Sequence, residues 1–200
     1  MTPPMKAIQY LMLTSAACLL ANTAMAADGT IKFTGEITAA SCVASAGAGS
    51  SVGGSQGQQI VDVNLGKVSV DALGGSAEGG LAAGTSINLN LDCGNTATNL
   101  TTVKFGFDPM SGSGVDPRNN NLLKTTGSAK GVGIGMYDQN SKLINLSANE
   151  AYSAPLTVSG EGAEAKYSAA LNMRASYVAN GEEIVPGTAE GTLPFTLTYE

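Results

Sequence analysis

Asp28 to Ser41 reads DGTIKFTGEITAAS, and its alternation decides the fold. Ile31, Phe33, Gly35 and Ile37 fall on one side of an extended chain; Thr30, Lys32, Thr34, Glu36 and Thr38 fall on the other. Successive side chains of a strand leave it on opposite sides, so this pattern marks a strand with one buried and one wet face. Its place is unusual. It follows a segment built like an export leader and stops just before Cys42. A strand at the very head of an exported chain is suited either to completing a neighbour's core or to serving as the first strand of a self-contained sandwich.

Working outward, residues 1–26 carry the marks of a cleaved leader. Lys6 gives a positive start, Tyr10 to Ala21 is apolar but too short to span a bilayer, and Ala24-Met25-Ala26 supplies a small-x-small cleavage pattern. Cys18 lies within it, but Ser15 stands where a lipid-attachment signal wants Leu, which argues against a lipoprotein. The exported chain is therefore expected to be residues 27–200, enough for one domain with a core. The whole sequence has a net charge of −6, and Lys6 is the leader's one charge, so the exported part is slightly more acidic still. That acidity provides no basic footprint for nucleic acid and serves solubility. No second apolar run approaches membrane-spanning length.

Cys42 and Cys93 remain after the leader, and an even pair in an exported chain reads as a disulfide. Closing a loop of about 50 residues stabilises by ~4 kcal/mol on the chain-entropy model. A metal or redox pair needs closer spacing or histidine partners, and the sequence contains no His.

Further strands follow at turn-punctuated intervals. Val43 to Gln59 (VASAGAGSSVGGSQGQQ) is small and polar and reads as a flexible loop. Ile60 to Leu65 alternates. Thr85 to Cys93 (TSINLNLDC) places Ile87, Leu89, Leu91 and Cys93 on one face, which points the sulfur inward. Thr102 to Phe107 repeats the pattern, and Asp108 to Asn121 is a turn-rich loop. Gly131 to Asp138 (GVGIGMYD) and Lys142 to Leu146 read as a hairpin, with glycines that need something packed close against them. Ala154 to Val158 is a short edge segment. Lys166 to Val178 alternates over its full length, and Ala189 to Tyr199 sets Leu193, Phe195, Leu197 and Tyr199 on one face. Seven or eight strands without a long helix predict an all-β sandwich.

Catalytic constellations are scarce. Without His there is no Ser-His-Asp triad and no histidine-bearing zinc site. Glu182-Glu183 reads as a solvated turn, and Asp108 and Asp116 as part of a solvated loop whose spacing is not that of an EF-hand. Gly131 to Gly135 does not open a helix and fails as a phosphate cradle. Asn99-Leu100-Thr101 and Asn145-Leu146-Ser147 match the glycosylation sequon only in the weak sense of a short motif. The chain is expected to be no enzyme and to need no cofactor and no metal.

The N-terminal IKFTGEITAASC, the INLNLDC strand with the second cysteine, the GVGIGMYD strand and the terminal YVANGEEIVPGTAEGTLPFTLTYE together resemble the chaperone–usher fimbrial subunits, most closely the type 1 major-pilin group. The terminal block is the most specific part: the family has a penultimate Tyr and a Gly fourteen residues from the end, and Tyr199 and Gly187 stand there. The likeness spans the exported chain. It implies an incomplete immunoglobulin-like β-sandwich lacking its last strand (42–200), preceded by a donor-strand extension (27–41). On that likeness Ile31, Phe33, Gly35 and Ile37 of the extension enter another copy's groove. Leu193, Phe195, Leu197 and Tyr199 wall that groove, and Gly187 belongs to the same terminal motif. A periplasmic chaperone would fill the groove first; an outer-membrane usher and other copies or related subunits complete the implied partners. The implied function is a structural subunit of a surface fimbrium that supports adhesion, with a minor adaptor subunit as the near alternative and a ligand-binding adhesin as the remoter one. Burial of Ile31, Phe33 and Ile37 would contribute roughly 5–8 kcal/mol gross at about 1.5–3 kcal/mol per large side chain. Pro194 stands out, because a proline in a strand removes one main-chain donor on one of its two edges.

Overall fold

The alternating segments form two facing sheets whose apolar faces share one core. The computed structural model describes residues 29–36, 42–55, 58–73, 84–97 and 99–200, with only the backbone course described for 29–36, 55 and 58. Strands are numbered in chain order. The first sheet contains β1 (Gly29–Glu36), β3 (Ser50–Ser55), β4 (Gln58–Gly66), β6 (Thr102–Phe107), β9 (Tyr152–Pro155), β12 (Gly191–Thr192) and β13 (Phe195–Tyr199). Its order is β3-β4-β1-β13-β6-β9, with β12 also paired to β1. The second contains β2 (Val43–Ala46), β5 (Thr85–Gly94), β7 (Leu123–Lys124), β8 (Val132–Tyr137), β10 (Thr157–Ser159) and β11 (Lys166–Ala179). It runs β2-β5-β11-β8-β7, with β10 on β11. Helical structure among the described residues is confined to short 3-10 turns.

The inward residues are those that alternation selects. Val61, Val63 and Leu65 of β4, Val103, Phe105 and Phe107 of β6, and Leu193, Phe195 and Leu197 beside β1 are buried. From the other sheet come Ile87, Leu89 and Leu91 of β5 and Ala169, Leu171, Met173, Ala175 and Tyr177 of β11. Phe105 stacks on Phe195 with ring centroids 4.3 Å apart. The architecture is the immunoglobulin-like sandwich that the sequence predicts, all-β throughout.

Two expectations need correction. Val43 to Gln59 is not a loop: β2 pairs with β5, and β3 pairs with β4 from Ser50 opposite Val63 to Ser55 opposite Gln58. Its serines and glycines carry no apolar signal, yet neighbouring strands supply the main-chain bonds that hold it extended, so tertiary context overrides composition. Ala154 to Val158 is not one edge segment either. The chain leaves the first sheet after Pro155 and joins the second at Thr157, with Leu156 at the crossing. With these pieces and the break in the C-terminal strand, more strands form than the sequence pattern resolves.

The disulfide joins Cys42 and Cys93 with an S–S distance of 2.06 Å, and both cysteines are buried. Val43 lies opposite Asp92 in the adjoining register, so the bridge staples the start of β2 to β5 within one sheet. It also fixes the point from which the N-terminal extension departs.

The glycines of GVGIGMYD have a packing reason. A Cβ on Gly133 would lie 2.9 Å from Leu122 Cβ, and one on Gly135 would lie 3.0 Å from the Tyr137 ring. Leu122, Tyr137 and Val178 form a second, smaller apolar cluster on the outer face of this sheet, so β8 is buried on both faces.

Candidate functional site

The site is the slot between β4 and the C-terminal strand. Among the described residues these two elements do not pair with each other, and only β1 joins them in the sheet. It runs antiparallel to β4, from Thr30 opposite Asn64 to Gly35 opposite Gln59. Against β12 and β13 it runs parallel, with Ile31 opposite Gly191, Lys32 opposite Thr192, Gly35 opposite Phe195 and Glu36 opposite Thr196. The extension therefore occupies the slot of its own chain.

Without β1 the slot would present two unpaired strand edges over apolar side chains. Val61, Val63, Leu193 and Phe195 are buried at register positions beside it. An open edge over an apolar face is a template for another strand, because added main-chain bonds and buried side chains are gained together. The sequence-expected fillers fall here as follows. Ile31, Phe33 and Gly35 lie in β1, where their side chains are outside the described residues, and Ile37 lies outside the described residues altogether. Gly35 stands opposite Phe195, a glycine against an aromatic wall residue of the slot.

The break between β12 and β13 falls at Leu193 and Pro194, where the ladder to β1 also pauses. Around it the main-chain bonds of even-numbered residues go to one side. Thr102 and Glu200 bond reciprocally at 2.8 and 2.9 Å, the Asp108 N–H donates to the Pro194 carbonyl at 2.8 Å, and the Ser113 N–H donates to the Thr192 carbonyl at 2.9 Å. The proline's missing donor thus falls on the β6 side, and the edge that faces β1 keeps its groups.

Gly187 lies at the end of the slot and not along its wall. A side chain there would meet Ser128 Oγ at 2.5 Å and the Ala129 nitrogen at 2.6 Å. The approach is held by the Ala129 N–H donating to the Thr188 carbonyl at 2.9 Å. Gly187, Pro186, Tyr177, Leu73, Val68 and Gly66 line an apolar cavity of about 90 Å³ near Gly66, the partner of Gly29 where β1 begins. Sequence reasoning did not anticipate this cavity, because its lining comes from distant segments. Tyr177 braces the same region by donating from its hydroxyl to the Ala189 carbonyl at 2.6 Å.

Tyr199 closes the other end. Burial pushes its phenol up to about 12, and its hydroxyl is buried with no hydrogen-bond partner among the described residues. Asp108 and Asp116 stand away from the slot. Asp108 caps a 3-10 turn, its carboxyl held below the usual range first by the Ser111 hydroxyl. Asp116 is buried, not solvated as its loop suggests, accepting from the Arg118 and Asn119 N–H groups and from Asn180. Asn145 accepts from Ser147 and Ala148 and serves as a turn cap. Among the described residues no group of His, Cys, Asp and Glu is arranged to hold a metal.

Comparison with known proteins fits this geometry. The family model described as Fimbrial protein matches residues 31–200. A probable major fimbrial subunit, LpfA, of Escherichia coli O157:H7 is 32% identical over 191 residues, covering 93% of this chain and 93% of its own. The type-1 fimbrial protein A chain of Escherichia coli K12 is 28% identical over 199 residues, covering 96% of this chain and 94% of its own. The crystal structure of the CupB6 tip adhesin from Pseudomonas aeruginosa aligns at 17% identity with a TM-score of 0.37, over 56% of this chain and 33% of that one. The sandwich assignment stands on the strand pairing and not on that last likeness.

Proposed function

The chain belongs to the fimbrial protein family, and from that premise we propose that it builds its fibre by passing residues 27–41 into the slot of another copy. It is a structural fimbrial subunit, and it assembles with other fimbrial subunits into an organelle at the cell surface. The observation that carries the exchange is that β1 alone bridges β4 and the C-terminal strand, so whichever copy supplies that strand becomes joined to the sheet. Ile31, Phe33, Gly35 and Ile37 are the proposed donor positions, and Leu193, Phe195, Leu197 and Tyr199 the proposed wall, closed at one end by Gly187. A periplasmic chaperone would hold the slot during export, and an outer-membrane usher would order the exchange.

Deletion of residues 27–41 tests this. The shortened chain should no longer form fibres, and its slot should accept a synthetic peptide of residues 27–41 with recovery of its folding transition. Unchanged polymerisation of the deletion would overturn the proposal. In the same assay the peptide bearing Ile31→Asp or Phe33→Asp should enter more slowly, since a carboxylate resists burial among apolar groups.

A further inference from the structure

The pairing between β1 and its slot contains a pattern of charge and size that only one register satisfies. On β4, Lys32 stands opposite Asp62, while Asp62's other neighbour, on β3, is the uncharged Ser51. Asp62 is exposed and makes no ion pair among the described residues. Opposite charges directly across a pair of strands stabilise the pairing, and like charges oppose it. Sliding β1 by two residues would keep the same faces but set Lys32 opposite Asn64 or Ile60.

On the C-terminal side, size is matched. Ile31 stands opposite Gly191, and Gly35 opposite Phe195. A Cβ at position 191 would lie 2.8 Å from Leu123 Cδ2 and 2.9 Å from Ile134 Cδ1, so a side chain there would have to displace those tips. At Gly35 the order reverses, with the glycine at the register position opposite a phenylalanine. Ile31 and Gly35 are spaced as Gly191 and Phe195 are, so both matches hold only when the strands run parallel. Reversing β1 with Gly35 kept opposite Phe195 would bring Ile31 against Tyr199.

We propose that Lys32 and Asp62, with the Ile31/Gly191 and Gly35/Phe195 matches, are the specificity-determining positions that set the extension in register within its own chain's slot. The proposal deepens the slot reading and rests on it. Its consequence is a self-closed monomer whose extension must leave before it can enter another copy.

Charge exchange tests it on the exported chain kept dilute, with amide hydrogen exchange of residues 29–36 as the readout. Lys32→Glu and Asp62→Lys should each speed that exchange by about two- to fivefold at low salt. The double variant should return to within about twofold of the parent, and molar salt should erase the differences. A double variant as fast as the faster single, or singles that match the parent at low salt, would overturn the proposal. No fibre is needed for this readout, so its failure leaves the deletion test of exchange untouched, and failure of the deletion test leaves the register result readable.

Discussion

The Asp108 N–H donates to the Pro194 carbonyl at 2.8 Å, and no donor returns from the proline to Asp108. The donor that the proline lacks therefore belongs to the β6 side and not to the edge that faces β1. Pro194→Ala would restore a main-chain donor worth about 1 kcal/mol, while freeing the unfolded chain at a cost of about 0.4–1 kcal/mol. Stability in urea should change by less than about 1 kcal/mol, and amide exchange of residues 29–36 should not change. Faster exchange there would place the proline's effect on the wrong edge.

The Cys42–Cys93 bridge closes a separation of 51 residues and sits at the root of the extension. Replacing both cysteines by Ala should cost about 2–5 kcal/mol of stability, seen as a lower urea midpoint under non-reducing conditions. Reductant should lower the parent to a similar midpoint and leave the double variant unmoved.

How far the sequence discloses this depends on which partner gives each strand its signal. Ile87, Leu89, Leu91 and Cys93 lie on one face of β5 and are buried as alternation requires, and the β11 pattern from Tyr167 onward is read correctly because its partners on one side are the core itself. Ser50 to Ser55 gives no such signal; only the bonds from β4 make it a strand. The crossing at Leu156, the approach of Gly187 to Ser128 and the side of the sheet that Pro194 interrupts are likewise invisible, since each is set by a segment far away in the chain. The alternation of Leu193, Phe195 and Leu197 and that of Ile60 to Leu65 were both legible, but not that these two strands flank one gap, nor which copy's strand fills it.

Two glycines in strands separate packing from flexibility. Gly133→Ala would press a methyl within 2.9 Å of Leu122 Cβ, a group that cannot swing away. It should cost about 1–3 kcal/mol, the usual penalty for overpacking. Gly53 in β3 has nothing within 4 Å of a built Cβ. Gly53→Ala should leave stability unchanged or raise it by up to about 1 kcal/mol through the unfolded state. Equal losses at both sites in urea denaturation would refute the packing account of the GVGIGMYD glycines.

Tyr199 makes stability depend on alkaline pH. Its folded phenol is pushed up to about 12 by burial, from an ordinary value of 10.0. The neutral form is thus favoured in the fold, so the contribution is fully present below about pH 10 and is lost as pH rises toward 12. Burial also raises Tyr152, which adds to the same fall. Tyr199→Phe should flatten part of the decline above pH 10. At pH 7 it should be neutral or slightly stabilising, because the lost hydroxyl is buried without a partner among the described residues. A loss of more than about 1 kcal/mol at pH 7 would mean that the hydroxyl makes a bond that matters.

Self-closure and exchange compete for one strand, and a covalent lock separates them. Lys32 and Asp62 are directly opposite in the β1–β4 register, so Lys32→Cys with Asp62→Cys places two thiols at adjacent positions of neighbouring strands. Oxidised while dilute, this variant should form an intrachain disulfide, seen as a monomer whose mobility shifts on reduction, and it should not enter fibres. Reduction should restore assembly, because the extension is then free to leave. Trapping of dimers in place of monomers would show the strand in another copy's slot even when dilute, and locked monomers that still polymerised would show that fibre growth does not use this strand.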